Sequence, residues 1–154
     1  MKKLCLLLLI LISNVVYGET IDLSCRENRV SNGKLIHVDY NLTIVTTSTG
    51  KPRIFFDDKE QGGTFDYGVT KITDFILTNS EINFNQELDS FRKEYPNGVV
   101  IESGYSKTNY KISRTTGKLT VYSVGYGGMK SLVGGGTGSS LDEGMCEKRK
   151  LKKF

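Results

Sequence analysis

The sequence YKISRTTGKLTVYS, residues 110–123, has the pattern of a β-hairpin. On either side of Thr116-Gly117, apolar or aromatic residues alternate with polar ones, which is the spacing that a half-buried strand requires. Gly117 can adopt the positive φ of a tight turn. We therefore expect two adjacent antiparallel strands here, with the rest of the chain laid out as sheet beside them.

The same alternation continues toward the N-terminus. It is strongest over residues 34–46, where five apolar side chains fall on one face: Ile36, Val38, Tyr40, Leu42 and Ile44. Residues 20–26 form a predicted first strand, with Cys25 on its apolar face. Asn32-Gly33, between these strands, is a strong signal for a two-residue hairpin turn.

Shorter strands are predicted at 53–56, 69–78, 81–86, 99–101 and 145–148, and a polar loop at 57–68. The Gly/Ser-rich residues 124–144 are predicted to form a flexible loop or an irregular edge. Residues 86–95 are ambiguous. Leu88, Phe91 and Tyr95 recur at helical spacing, which predicts a short helix ending before Pro96. The alternative is an extended strand and loop, because Leu88 also continues a period of two.

These patterns predict one all-β domain over residues 19–147. It consists of a single antiparallel meander sheet of about seven or eight strands, with one short helix over 86–95 if the helical spacing prevails. A sheet of this size is expected to close into a sandwich or a small open barrel.

Residues 1–18 have the order of a secretory signal peptide: Lys2 and Lys3, an apolar run over 4–12, and small residues before the junction of Gly18 and Glu19. The alternative is an uncleaved membrane anchor, but the apolar run is shorter than the roughly 20 residues of a span. The short core after two lysines is typical of bacterial signals. We therefore expect a periplasmic or extracellular protein cleaved between Gly18 and Glu19.

The sequence contains three cysteines, of which Cys5 would leave with the signal. Cys25 and Cys146 would enter an oxidising compartment, where a disulfide is the expected state. In the chain-entropy view a bridge over so long a loop contributes roughly 4–5 kcal/mol. The alternative is a pair of free reactive thiols.

The charge distribution argues against nucleic-acid binding. The whole sequence has 21 Lys and Arg against 17 Asp and Glu, but without the signal lysines and the residues after Cys146 the body has 14 against 16. A nucleic-acid-binding domain needs a basic face, and this body has none in its composition. Residues 148–154 are predicted to be a disordered basic tail, which could alternatively contact an anionic envelope surface.

Three groups of residues are candidates for a chemical site, and each has a simpler interpretation. His37 is the only histidine, without a nucleophile beside it in the pattern, and is interpreted as a surface residue. Asp57, Asp58, Glu60 and Asp66 could bind Ca²⁺ or serve a hydrolase, but they also suit a solvated loop. The glycines at 134–136 and 138 lack the Gly-Lys-Ser/Thr of a phosphate loop. We therefore expect no metal and no cofactor.

Four tyrosines near the hairpin and the Gly-rich segment, Tyr105, Tyr110, Tyr122 and Tyr126, form a candidate binding surface. Simple sheet packing is the alternative for Tyr110 and Tyr122. Ser103-Gly104, together with one cysteine near each end of a small exported β-domain, resembles the periplasmic lysozyme inhibitors, which insert a Ser-Gly-x-x-Tyr loop into their target. Lys107 stands where that tyrosine would be, so the resemblance transfers no site.

The sequence therefore predicts a non-enzymatic exported protein that binds another molecule of the cell envelope, an envelope protein or, through the tail, an anionic surface. An inhibitor-like protein-binding module is the first alternative, and a hydrolase using the loop carboxylates is the second.

Overall fold

The structure is a computed structural model that describes residues 18–31, 33–47 and 51–149. Within these ranges the chain forms twelve strands: β1 (Thr20–Ser31), β2 (Lys34–Val45), β3 (Arg53–Phe56), β4 (Lys59–Gln61), β5 (Gly63–Phe65), β6 (Gly68–Leu77), β7 (Glu81–Ser90), β8 (Lys93–Glu94), β9 (Val100–Ile101), β10 (Gly104–Ser113), β11 (Lys118–Gly127) and β12 (Ser139–Lys148). Two short 3₁₀ turns, Gly128–Leu132 and Gly134–Gly136, lie between β11 and β12.

The hairpin predicted at 110–123 is confirmed. β10 and β11 pair antiparallel, with Tyr110 opposite Val121. In the turn, the Gly117 N–H donates to the Ser113 carbonyl at 2.8 Å, and Gly117 has a φ of 74°. The Cys146 N–H in turn donates to the Gly117 carbonyl at 2.8 Å, which attaches the turn to β12.

Ten strands form one antiparallel sheet in the order β4-β3-β2-β1-β12-β11-β10-β7-β6-β5, while β8 and β9 pair separately. The strands β4 and β5 lie at opposite edges, yet only Gly62 separates them in sequence. The sheet must therefore curl until its edges meet. The Gln86 side-chain amide on β7 donates to Gln61 Oε1 on β4 at 2.7 Å, across the seam. The sheet nearly closes into a barrel, so of the two predicted closures the small open barrel is the one that forms.

Alternation decides which side chains fill the barrel. The inward positions form one continuous core of buried apolar residues: Cys25, Tyr40, Leu42, Ile44, Ile54, Ile82, Phe84, Tyr110, Ile112, Leu119, Val121 and Cys146. The predicted apolar face of β2 is buried from Tyr40 onward, whereas Ile36 remains exposed at the far end of the strand.

The disulfide between Cys25 and Cys146 is confirmed. The two residues are register partners on β1 and β12, with their Cα atoms 4.0 Å apart, and both side chains face the interior. The bridge therefore joins the first and last strands of the barrel from within.

The short helix predicted over 86–95 is wrong, and the strand alternative is correct. β7 continues to Ser90, and every residue from Glu81 to Ser90 is paired with a residue of β10. The next residues include the two-residue strand β8. The helical spacing of Leu88, Phe91 and Tyr95 is overridden because the barrel wall supplies a hydrogen-bonding neighbour on each side of β7.

The strand count and two predicted loops also need correction. Residues 57–68 contain β4 and β5. Residues 124–144 contain the end of β11 and the start of β12, so within this second stretch only 128–138 lie outside strands. Gly and Ser do not prevent strand formation there because neighbouring strands supply backbone partners, such as Val124 opposite Ser139. The main sheet thus has ten strands instead of seven or eight.

Residues 1–17 of the signal predicted over 1–18, and residues 150–154 of the tail predicted over 148–154, lie outside the described residues. Among the described residues, none belongs to a helix that is long and apolar enough to cross a membrane.

Candidate functional site

An aromatic layer divides the barrel interior. Phe56 lies at its centre, with ring centroids 5.3 Å from Tyr40, 5.2 Å from Tyr110 and 6.4 Å from Phe84. Phe84 and Tyr110 stack at 4.9 Å. We call the side of this layer that holds Leu42, Ile44, Ile54, Ile82, Ile112 and Leu119 the apolar half, and the side that holds Glu27, Arg29, Thr70, Thr108, Ser123, Ser140 and Asp142 the polar half.

The polar half contains a fully buried carboxylate. Glu27 follows Cys25 on the inner face of β1 and is 0 % exposed. Arg29, two residues further along the same face, donates to both Glu27 oxygens, through Nε to Oε1 and through Nη2 to Oε2 at 3.2 Å. The guanidinium side chain is 44 % exposed, so the pair runs from the interior to the barrel mouth. An isolated buried carboxylate is very costly, and Arg29 offsets that cost.

Two tyrosines face Glu27 from the aromatic layer. The pKa of the Tyr110 phenol is raised to about 12, chiefly by burial and secondly by the negative charge of Glu27, while Arg29 acts to lower it. Burial also raises the pKa of Tyr40, with smaller contributions from Tyr110 and Glu27. The Tyr40 hydroxyl lies close enough to Glu27 for this effect, but the two form no hydrogen bond of acceptable geometry. Both phenols are therefore neutral at physiological pH.

The polar half encloses a cavity of about 330 Å³, which we call the mouth cavity. Polar groups from four strands line it, including Glu27, Thr108, Ser123, Ser140 and Asp142. The Thr108 and Ser123 hydroxyls lie 3.0 Å apart and hydrogen-bond to each other. This volume is at the lower end of the roughly 300–1,000 Å³ of typical ligand pockets.

A smaller cavity of about 150 Å³ adjoins the mouth cavity at Thr108, which lines both. Thr70 and Gln86 also line it. Thr70 is 7 % exposed, and its Oγ1 is fully buried without a hydrogen-bond partner among the described residues. Since buried hydroxyls are normally hydrogen-bonded, Thr70 points to a water or a polar ligand in this space.

The Gly-rich segment 128–138 forms one wall of the mouth cavity. Met129 is buried, and the Gly128 N–H donates to the Ser103 carbonyl at 2.9 Å, which fixes the start of the segment. At its other end the Gly125 N–H donates to the Gly138 carbonyl at 2.8 Å. Between these anchors Leu132, Val133, Gly134 and Gly135 line the cavity.

A larger groove of about 620 Å³ lies at the apolar end of the barrel. Arg114 crosses it, with Nη2 donating to Glu19 at 2.8 Å and Nη1 to the Thr78 carbonyl at 2.8 Å. Asp22, also in its lining, accepts a hydrogen bond from Thr43 at 2.6 Å. These polar groups already have hydrogen-bond partners within the protein. The groove is therefore a weaker candidate for binding a polar ligand than the mouth cavity.

The four sequence-predicted tyrosines do not form one surface. Tyr110 lies inside the barrel and borders the mouth cavity, whereas the other three lie on the outer face. Tyr105 and Tyr126 are register partners whose rings stack at 6.1 Å. Tyr122 and Tyr126 are 48 % and 59 % exposed. Of the four candidate tyrosines, only Tyr105, Tyr122 and Tyr126 therefore contribute to an outer surface.

Three of the four candidate carboxylates of residues 57–66 have separate partners. Asp57 accepts from the Asn41 N–H at 2.8 Å, Arg53 binds Glu60 at 2.6 Å, and Lys93 binds Asp66 at 2.7 Å. Hydrogen bonds from Arg53 and Lys93 hold the pKa values of Glu60 and Asp66 below their usual range. The general acid of a glycosidase needs a raised pKa, which is the opposite direction. No three His, Cys, Asp or Glu side chains of the described residues are grouped to hold a metal.

His37 lies on the exposed outer face of β2, with Nδ1 2.7 Å from Asn28 Oδ1. Ser103, which carries the inhibitor resemblance, sits just before β10 and is held by the Gly128 N–H. The signal-junction residues Gly18 and Glu19 are exposed at the start of β1.

Glu27, Arg29 and Asp142 are functional candidates that were not predicted from the sequence. A signal for them was present, because Glu27 and Arg29 continue the inward alternation that starts at Cys25. Asp142 likewise shares the inward alternation of Cys146 on β12. Extending both patterns from the two cysteines would have predicted charged residues inside the sheet.

Comparison of the chain with protein-family models, with curated proteins and with solved structures finds no match.

Proposed function

We propose that the chain is an exported, non-enzymatic binding protein that holds a small polar ligand in the polar half of its barrel. The observation that carries this proposal is the buried Thr70 hydroxyl, which has no partner among the described residues and faces a cavity. The adjoining mouth cavity adds hydroxyl and carboxylate groups on rigid strands. A small number of polar groups that converge on a preformed concave space is typical of ligand sites.

Several side chains of the cavity already bond to one another, and this favours binding over catalysis. The hydroxyls of Thr108 and Ser123 bond to each other, and Glu27 is occupied by Arg29. A nucleophile activated by a neighbouring base is therefore not assembled from these groups. The disulfide is compatible with an oxidising, exported location, which agrees with the signal expected at residues 1–18.

The test is a ligand-observed NMR screen of small sugars, amino acids, amines and organic acids against the oxidised protein. Compounds that bind are then tested against Ser140→Phe, which fills the mouth cavity, and Ser24→Phe, which adds the same ring to the outer face of β1. Binding should be lost in Ser140→Phe and kept in Ser24→Phe. Equal binding to both variants, or no binding compound at all, would contradict an interior site.

A protein-binding, inhibitor-like role is a second candidate, favoured by the outer aromatic face. Tyr122 pairs with Leu141, and both are largely exposed beside the exposed Tyr126. A photo-crosslinking residue at Tyr126 should capture an envelope protein in cells, whereas one at Lys71, on the outer face of β6, should not. Equal capture at both positions would contradict a specific surface.

A further inference from the structure

The charges around the mouth cavity do not cancel. Its charged lining consists of Glu27, Arg29 and Asp142. Arg29 is held by both oxygens of Glu27, so these two groups form a neutral pair. Asp142 is half-buried, and its carboxylate makes no hydrogen bond or close ion pair with a described residue. It interacts with Arg29 only through longer-range electrostatic attraction. One negative charge is therefore left over in the cavity.

The mouth of the same cavity is aliphatic. Val30, Ile36 and Leu132 line it, yet they are 64 %, 41 % and 67 % exposed. They come from β1, β2 and the Gly-rich segment, which meet at this end of the barrel. Exposed aliphatic side chains grouped at a cavity opening are typical of a site that contacts an apolar part of its ligand.

We infer that the ligand class of this site is amphipathic alkylammonium compounds, with the ammonium group against Asp142 and the alkyl chain along Val30, Ile36 and Leu132. This inference rests on the proposed function. A carboxylate and an ammonium form a charge-assisted hydrogen bond, the strong kind. The hydroxyls of Ser123 and Ser140, in the same lining, can accept from the remaining ammonium protons.

An anionic ligand suits the cavity less well. Its natural partner would be Arg29, but that guanidinium already binds Glu27. Glu27 and Asp142 would both repel an added negative charge, and the repulsion is strongest beside the fully buried Glu27. A neutral ligand would leave the charge of Asp142 without compensation.

The experiment uses three six-carbon probes that differ in their head group, n-hexylammonium, 1-hexanol and hexanoate, and one shorter ammonium probe, n-propylammonium. Each is titrated into the oxidised protein, and binding is followed by calorimetry and by amide shifts of the cavity residues. We expect n-hexylammonium to bind most tightly. Its advantage over n-propylammonium should approach roughly fourfold for each methylene that the aliphatic mouth covers.

Two pairs of variants assign the contacts. Asp142→Asn should weaken both ammonium probes by about tenfold or more. Glu143→Gln, the neighbouring residue on the outer face, loses only an exposed contact with Lys118 and should change neither. Leu132→Ser should remove most of the chain-length advantage, whereas Leu141→Ser, which is equally exposed on the outer face, should keep it.

The outcomes separate this inference from the proposed function. If 1-hexanol or hexanoate binds in the cavity as tightly as n-hexylammonium, or if Asp142→Asn binds like the parent, the ammonium class is wrong while the interior site stands. If no probe shifts the cavity amides and the polar-compound screen also gives no binder sensitive to Ser140→Phe, both are wrong.

Discussion

Glu27 is a carboxylate with no exposed surface, and one neighbour on its own strand balances its charge. Arg29→Met removes that cation and leaves Glu27 buried beside two neutral phenols. We expect the free energy of unfolding to fall by about 2–3 kcal/mol. This is less than the roughly 3–5 kcal/mol of a fully buried pair, because Arg29 is partly solvated. Urea denaturation at neutral pH measures the change.

Arg26→Met is the matched control for this prediction. Arg26 lies three residues earlier on β1 but faces outward, where it binds Asp39 with both side chains about two-thirds exposed. Exposed ion pairs contribute little, so the variant should unfold at nearly the urea concentration of the parent. Similar losses in both variants would show that Glu27 is not the origin of the effect.

The raised pKa of Tyr110 leads us to expect a loss of stability at alkaline pH. Its folded-state pKa of about 12 exceeds the value of about 10 for an unfolded tyrosine. A raised pKa means that the neutral phenol stabilises the fold fully below about pH 10, and this contribution is lost as pH rises toward 12. Tyr110→Phe cannot ionise and should lose less stability over this window, with part of the loss remaining because Tyr40 has the same direction of shift.

Urea denaturation between pH 9 and pH 12 checks this, with phenolate absorbance as an independent record of titration. Tyr122→Phe, on the exposed outer face, is the control and should follow the parent. A Tyr110→Phe variant that loses stability as steeply as the parent would contradict the assignment.

At the scale of elements, the sequence predicts strands where the deciding information is local. The hairpin around Gly117 needed only alternation and a turn residue. Residues 86–90 needed knowledge of β10, because pairing with Gly104 to Thr108 holds them extended. β6 combines both cases: its alternation predicted a strand, but the register shift between Thr73 and Ile76, with Asp74 at a φ of 51°, has no local signal.

The candidate site was less predictable than the strands for the same reason. Which side chains face inward follows from alternation, but which inward residues share a cavity depends on the register of several strands. Asp142 and Thr108 lie on β12 and β10, which are separated by β11 in the sheet. Their common cavity is a property of barrel closure, which no single segment encodes.

The Gly-rich segment 128–138 predicts a difference between two adjacent glycines. Gly134 and Gly135 have similar φ values of 60° and 64°, which favour glycine. A Cβ at Gly134 would overlap the Ser139 carbonyl, whereas a Cβ at Gly135 would meet nothing within 4 Å. Gly135→Ala should therefore cost about 1 kcal/mol from backbone strain alone, and Gly134→Ala about 3 kcal/mol because the backbone must also move.

Chemical denaturation of the two variants measures this difference. Since both residues line the mouth cavity, amide shifts of Leu132 and Ser140 report in addition whether the wall has moved. Those shifts should be large for Gly134→Ala and small for Gly135→Ala. Equal losses of stability in the two variants would mean that the Ser139 carbonyl moves aside without a measurable cost in free energy.

At the scale of the whole molecule, the meander places the first and last strands side by side. The Cys25–Cys146 bridge sits at that junction and spans 121 residues of sequence. Glu27 follows Cys25 by two residues, and Asp142 precedes Cys146 by four, so the bridge is fixed close to both carboxylates of the cavity. The same covalent bond therefore constrains the unfolded chain and aligns two walls of the candidate site.

Replacing both cysteines by alanine should lower the free energy of unfolding by roughly 3–5 kcal/mol, since the constraint on the unfolded chain is lost. That is a large part of the roughly 5–15 kcal/mol of a typical domain. The fold should persist near neutral pH, because five further register pairs still join β1 to β12, including Leu23 to Lys148 and Glu27 to Gly144. Guanidinium denaturation of the oxidised parent and the variant measures the change. Reductant should lower the free energy of unfolding of the parent toward that of the variant and leave the value of the variant unchanged. A parent that keeps its full stability when reduced would show that strand pairing alone stabilises the junction.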